Sequence, residues 1–166
     1  MDFCFTHCYI CFAMIRITIQ EKDFSLEQEI SLLRCDRVDI GAIASFIGLV
    51  RDLNGGDEVS LMSLEHYPGM TENQLQEIAH EAESRWPLQG ITIIHRVGTL
   101  APGDQIVLVI TASPHRAAAY ESNQFIMDYL KTRATFWKKE TLGNRSRWVE
   151  SRRSDDVASN RWKKPA

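Results

Sequence analysis

The chain has 166 residues, 44% of them hydrophobic and 25% charged, with a net charge of −3. That length closes one core without metal or disulfide staples. The acidic balance argues against a general nucleic-acid binder, which depends on surplus Lys and Arg, and no apolar run approaches the roughly 20 residues of a membrane span.

Residues 1–13 are expected to be a leader outside the folded body, disordered or not the native start, because composition changes abruptly at Met14. The leader lacks the basic n-region of a signal peptide. It holds Cys4, Cys8 and Cys11, leaving Cys35 alone in the body; this is no disulfide framework and fits a reducing cytoplasm. The Cys-x3-Cys-x2-Cys spacing is that of a four-iron cluster loop. Such a loop belongs in a much larger strand–helix barrel, so coincidence is the expectation.

The alternation of IRITIQ predicts a strand from residue 15. Residues 24–33 predict a short helix, with Ser25 and Gln28 in capping-box positions and Leu26, Ile30 and Leu33 on one face. GAIASFIGLV (41–50) predicts a strand running into a loop at 53–57, and residues 59–66 a second strand closed by Tyr67-Pro68-Gly69. Thr71 and Gln74 read as another capping box, opening a helix that Pro87 ends. The β-branched runs 91–97 and 105–111 flank the turn Ala101-Pro102-Gly103-Asp104 and predict a hairpin. Ser113 then reads as N-cap and Pro114 as first residue of a long helix to about Thr132. A short strand at 136–140 and a loop at 143–147 complete an α+β domain spanning 14–150, followed by a polar C-terminal arm over 151–166 expected to be exposed or partner-facing.

Two places carry candidate chemistry. His115 and Arg116 sit at the start of the long helix, where unpaired backbone N–H groups favour an anion and cations are normally avoided. At its other end FIMDYLKTRATFWKKE (125–140) sets Lys131 and Lys138 among large apolar residues, where an ammonium needs an anion, a lost proton or a route to water. A cation at a helix C-terminus is favourable, which excuses Lys131 on local grounds. In a strand, Phe136 and Lys138 share one face and Trp137 and Lys139 the other, so one lysine must meet whichever face is buried. His66 at a strand end and the lone Cys35 read more simply as structural. No GxGxxG, GxxxxGK, HExxH or GxSxG motif occurs.

FIGLVRD (46–52), LEHYPGMTE (64–72), RWPL (85–88), IIHRVGTLAPGD (93–104), SPHR (113–116), FIMDYLKTRATFWKKE and RWVESR (147–152), in this order, resemble the molybdopterin synthase catalytic (large) subunit family over about residues 15–152. The resemblance implies an α/β hammerhead with an additional antiparallel sheet. It also implies a sulfur transfer in molybdenum cofactor biosynthesis, with no metal or other cofactor in the step. The partner would be a small ubiquitin-like subunit whose C-terminal Gly-Gly thiocarboxylate donates sulfur to cyclic pyranopterin monophosphate, the pterin substrate. Two large subunits would form a homodimer at the centre of a heterotetramer. Lys131 and Lys138 would be the catalytic pair. Arg51, His115 and Arg116 would hold substrate, Lys139 and Glu140 would extend the binding segment, and Arg152 would reach into a neighbouring site. Thr135 stands where the family usually has proline. The alternative is a non-catalytic module that docks a ubiquitin-like tail.

Overall fold

The computed structural model describes residues 13–54, 57–143, 145–149 and 153–163. Cys4, Cys8, Cys11 and Arg152 lie outside them, so the cluster spacing and the expected reach of Arg152 are not part of the description below. In chain order the elements are β1 (Met14–Gln20), α1 (Leu26–Arg34), β2 (Ala42–Leu49), β3 (Leu53–Asn54), β4 (Asp57–Glu58), β5 (Leu61–His66), α2 (Met70–Arg85), β6 (Gly90–Arg96), β7 (Gly98–Leu100), β8 (Gln105–Ser113), α3 (Arg116–Arg133), β9 (Phe136–Leu142), β10 (Arg145–Trp148) and α4 (Arg153–Asn160).

The strands form two four-stranded sheets, ordered β1-β6-β8-β2 and β10-β9-β5-β7, with a small β3-β4 ladder beside them. In the first sheet β1 runs parallel to β6 and the other pairs are antiparallel. The second is antiparallel throughout. This is the expected α+β class, a mixed sheet with an additional antiparallel sheet.

β6 and β8 are continuous apolar runs because both faces of their sheet are covered. Ile91, Ile93, Val107 and Val109 face α2 and α3, meeting Leu75, Ile78, Phe125 and Ile126. The alternate residues Ile94, Leu108, Ile110 and Ala112 pack on Phe24 and Leu33 at the other face. The predicted hairpin forms, with Ile94 opposite Leu108. Its connection contributes β7 to the second sheet, where Leu100 joins Leu64 and Val50 in a smaller core.

Several local readings are corrected. Ser25 does cap α1, accepting from the Gln28 N–H at 3.4 Å. For α2 the N-cap is Gly69, in the left-handed region at φ 84°, and the Glu72 carboxylate accepts from its N–H at 2.7 Å. Thr71 and Gln74 lie inside the helix. The N-cap of α3 is His115, not Ser113; Ser113 Oγ accepts from the His115 N–H and donates to the Pro87 carbonyl, so Pro114 stays outside the helix. Residues 143–147, read as a loop, include most of β10, whose Arg147 and Trp148 pair with Glu140 and Lys139. Part of the loop at 53–57 forms the β3-β4 ladder.

Within the arm expected to be exposed or partner-facing, the described residues form α4 followed by Trp162, which packs edge-on against Trp86 and Phe125. Asp128 anchors it, accepting from Trp162 Nε1 at 2.7 Å and Arg161 Nη2 at 2.5 Å, while Arg85 donates to the Trp162 carbonyl. None of the described helices is long and apolar enough to cross a membrane.

Candidate functional site

A cleft of about 640 Å³ opens between the two sheets and the C-terminal ends of α3 and β2. Its apolar floor includes Met127, Leu130 and Phe136, and its polar groups include Arg51, His95, Lys131, Lys138, Glu140 and Asp155. The segment 125–140 therefore forms one wall. α3 delivers Lys131 in its last turn, and β9 delivers Phe136, Lys138 and Glu140 from one face by its two-residue alternation.

Lys138 is the lysine that meets the buried face. Burial holds its ammonium below the ordinary lysine range, the charge of Lys131 pushes it the same way, and the carboxylate of Asp155 partly offsets both. Lys131 keeps nearly half its side chain exposed, and its Nζ lies 3.8 Å from Asp155 Oδ1. Lys139 points to the opposite face, over the Trp148 ring at 5.7 Å, and does not line the cleft.

Glu140 reaches the cleft with both carboxylate oxygens engaged. It is 2% exposed, accepts from Asn54 Nδ2 at 2.6 Å and from Arg147 Nε at 3.1 Å, and pairs with Arg147. Arg147 in turn donates to the Asn54 carbonyl. This network ties β3 to β9 and β10 at the cleft's rim.

His95 is 1% exposed, stacks on Phe136 with centroids 3.7 Å apart, and has Nδ1 2.8 Å from the Arg96 carbonyl. That contact makes Nδ1 the donor of a neutral imidazole, with Nε2 left as an acceptor. Burial, then the nearby Lys138 charge, pushes its pKa down to about 3.

Arg51, Lys131, Lys138 and Glu140 are thus brought together. His115 and Arg116 are not: both are exposed at the far end of α3, and Lys131 follows Arg116 by fifteen helical residues, about 22 Å at 1.5 Å per residue. His95 and Asp155 escaped sequence reading. His95 could have been found as the one ring of IIHRV able to titrate within an apolar strand; Asp155, in a polar tail, carried no signal.

Thr135 joins the two lysine-bearing elements. Gln74 Oε1 accepts from its N–H at 2.8 Å and Thr71 Oγ1 donates to its carbonyl at 3.0 Å, so the joint is held on both sides.

Two sheets and a partly apolar cleft, walled by a lysine-bearing helix and strand, define an α+β domain with a built pocket of clustered charged groups. A family model described as MoaE protein matches residues 19–133, more than half of the chain. A molybdopterin synthase catalytic subunit of Vibrio cholerae is 53% identical over 147 residues, 89% of this chain and 97% of that one. The solved structure of a molybdopterin biosynthesis MoaE protein from Burkholderia ambifaria superposes with a TM-score of 0.77 at 52% identity, covering 90% of this chain and 98% of that one. A molybdopterin synthase structure from Staphylococcus aureus does so with a TM-score of 0.72 at 31% identity, covering 80% and 95%. The chain belongs to the MoaE family.

Proposed function

We propose that the cleft is the sulfur-transfer site of this chain, which acts as the catalytic subunit of molybdopterin synthase in molybdenum cofactor biosynthesis. A thiocarboxylated C-terminal tail of a small ubiquitin-like subunit enters the cleft; its sulfur attacks an oxygen-bearing carbon of cyclic pyranopterin monophosphate, that oxygen leaves, and water then cleaves the acyl–sulfur bond, so that sulfur stays on the pterin and the tail departs as a carboxylate. The observation that carries this reading is the convergence of Lys131, Lys138 and Arg51 on one partly apolar cleft.

Sulfur attack and thiocarboxylate cleavage pass through anionic species. Fixed cations in a water-poor pocket stabilise such charge, by about 3 kcal/mol per donor in comparable oxyanion sites. Lys131, paired with Asp155 at the cleft wall, offsets charge. Lys138, with its pKa lowered, is suited to move a proton as well as to offset charge. Arg51, which lines the cleft, binds the substrate's anionic group in a two-pronged guanidinium contact.

His115 and Arg116 cannot join this cleft from the same chain across the length of α3. Their part in substrate binding therefore requires a second copy, which is the homodimer of the proposed assembly; Arg152 belongs to the same proposal. The test is reconstitution: purified chain, thiocarboxylated small subunit and cyclic pyranopterin monophosphate should yield molybdopterin. Equal sulfur transfer with this chain left out would reduce it to a tail-binding module.

A further inference from the structure

Thr135 is the joint between α3 and β9. The Phe136 N–H lies 3.2 Å from the Ala134 carbonyl, a two-residue backbone hydrogen bond with Thr135 at its centre. Asp36 is the only described non-glycine residue with positive φ, so the turn at Thr135 is the inverse γ-turn, whose central φ is about −75°. Nothing in such a turn is rigid by itself. It is fixed from outside by α2, where Thr71 and Gln74, three residues apart and so on one helix face, hold the Thr135 carbonyl and N–H. Thr71 is fully buried and also accepts from the Tyr67 N–H, which leaves it little freedom to turn away.

We propose that Gln74 and Thr71 are positioning residues for the cleft, setting the relative placement of Lys131, four residues before Thr135, and Lys138, three residues after it. Phe136, the next residue, stacks on His95, so the held joint also seats the Phe136 ring against that imidazole. The charged and titratable groups around Lys138 are Lys131 on α3, Asp155 on α4, His95 on β6, Arg51 after β2 and Glu140 on its own strand. Small displacements among such groups change both charge coupling and rate; a shift of about 1 Å can cost up to roughly a hundredfold in turnover.

Proline supplies a chemical substitute for the grip. Its ring fixes φ near −65°, close to the value the turn needs, and it has no N–H to be held. Ala134 already has φ −86° and ψ 128°, the extended region that a residue before proline adopts. Thr135→Pro should therefore leave the joint in place and make Gln74 dispensable.

The experiment compares the parent, Gln74→Ala, Gln74→Met, Thr135→Pro and Gln74→Ala/Thr135→Pro, each checked for folding by thermal melt. Lys138 is titrated by NMR of labelled lysine side chains, and turnover is measured in the reconstituted reaction. In Gln74→Ala the Lys138 midpoint should rise toward the ordinary lysine value, and kcat should fall about tenfold with KM held within about twofold. Adding Thr135→Pro should restore both, and Gln74→Met should behave as Gln74→Ala. An unmoved midpoint, or a loss that proline does not restore, overturns the positioning role. Only the turnover arm rests on the sulfur-transfer reading: a parent that makes no product sinks that reading, while the titration still decides the clamp.

Discussion

Lys131 Nζ and Asp155 Oδ1 stand 3.8 Å apart, so the C-terminal helix places a carboxylate beside the two ammonium groups of the cleft. The distance is an ion pair without a close hydrogen bond. Asp155 raises the proton affinity of Lys138, against burial and Lys131, which lower it. Asp155→Asn removes the one opposing contribution, so the Lys138 midpoint must move further down. Whether turnover needs the ammonium or the free amine, the limb of the pH–rate profile set by Lys138 shifts to lower pH. A limb that stays in place in Asp155→Asn would show that another group controls it.

The two cleft lysines should differ in what arginine can rescue. Alanine at either position removes a fixed cation from a pocket that handles anionic intermediates, and turnover should fall about a hundredfold, the loss typical of one oxyanion-stabilising donor. Arginine retains charge but does not deprotonate. Lys131→Arg should recover most of the rate if that residue supplies charge alone, and Lys138→Arg should remain slow while regaining affinity for the small-subunit tail. Single-turnover rates and tail-binding titrations for the four variants check this.

The helices and strands around the core were legible because their apolar periods are clean. β6 and β8 read as strands, and β9 showed by alternation alone that Lys138 and Lys139 part company. Chain ends and element joints were harder. Ser113-Pro114 has the local chemistry of a helix start, yet the Ser113 hydroxyl serves the Pro87 carbonyl and the helix begins two residues later. Thr71 and Gln74 have capping-box spacing, and the structure spends it on Thr135, sixty residues away in sequence, which no local pattern could disclose. The tail looked free because its composition is polar; a single aromatic, Trp162, anchors it. The pairing of Lys131 with Asp155 followed from that anchoring and was equally hidden.

Glu140 should matter to stability because its carboxylate is buried among its partners. Glu140→Ala removes the buried carboxylate that accepts from Asn54 and Arg147, and breaking a fully buried pair costs about 3–5 kcal/mol. The Arg147 side chain is 38% exposed and can turn to water, which brings the expected loss to about 2 kcal/mol. For a chain of this size that lowers Tm by about 4–8 °C. Glu140→Gln keeps one acceptor for Asn54 and should lose roughly half as much. Calorimetric scans of the two variants decide it, and equal Tm values for both and the parent would remove the structural role.

A cleft completed by a second copy predicts complementation. In a hybrid dimer of Lys131→Ala and Arg116→Ala chains, one cleft carries both defects and the other neither, provided Arg116 is supplied by the neighbour. Mixing two inactive homodimers under subunit exchange should then restore up to about a quarter of the parental turnover, because random exchange makes about half of the dimers hybrid and each two-fold hybrid carries one intact site of two. If Arg116 acted within its own chain, every cleft in the hybrid would stay defective and no activity would return.

His95 gives the fold an acid sensitivity of its own. In the unfolded chain its imidazole takes a proton as pH falls through about 6.5, whereas in the folded chain burial and Lys138 hold it neutral down to about 3. Between these values the unfolded state binds more protons, so stability rises with pH there. The His95 contribution is complete above about 6.5 and is lost progressively toward 3. His95→Gln cannot titrate. Whatever its stability at pH 7.5, its unfolding free energy from urea titrations should fall less steeply between pH 6.5 and 5 than the parent's, by on the order of 1 kcal/mol per pH unit at the steepest. Other carboxylates titrate in both proteins and largely cancel in the difference. Parallel profiles would mean that His95 is protonated in the folded chain, which its 1% exposure and the adjacent Lys138 ammonium oppose.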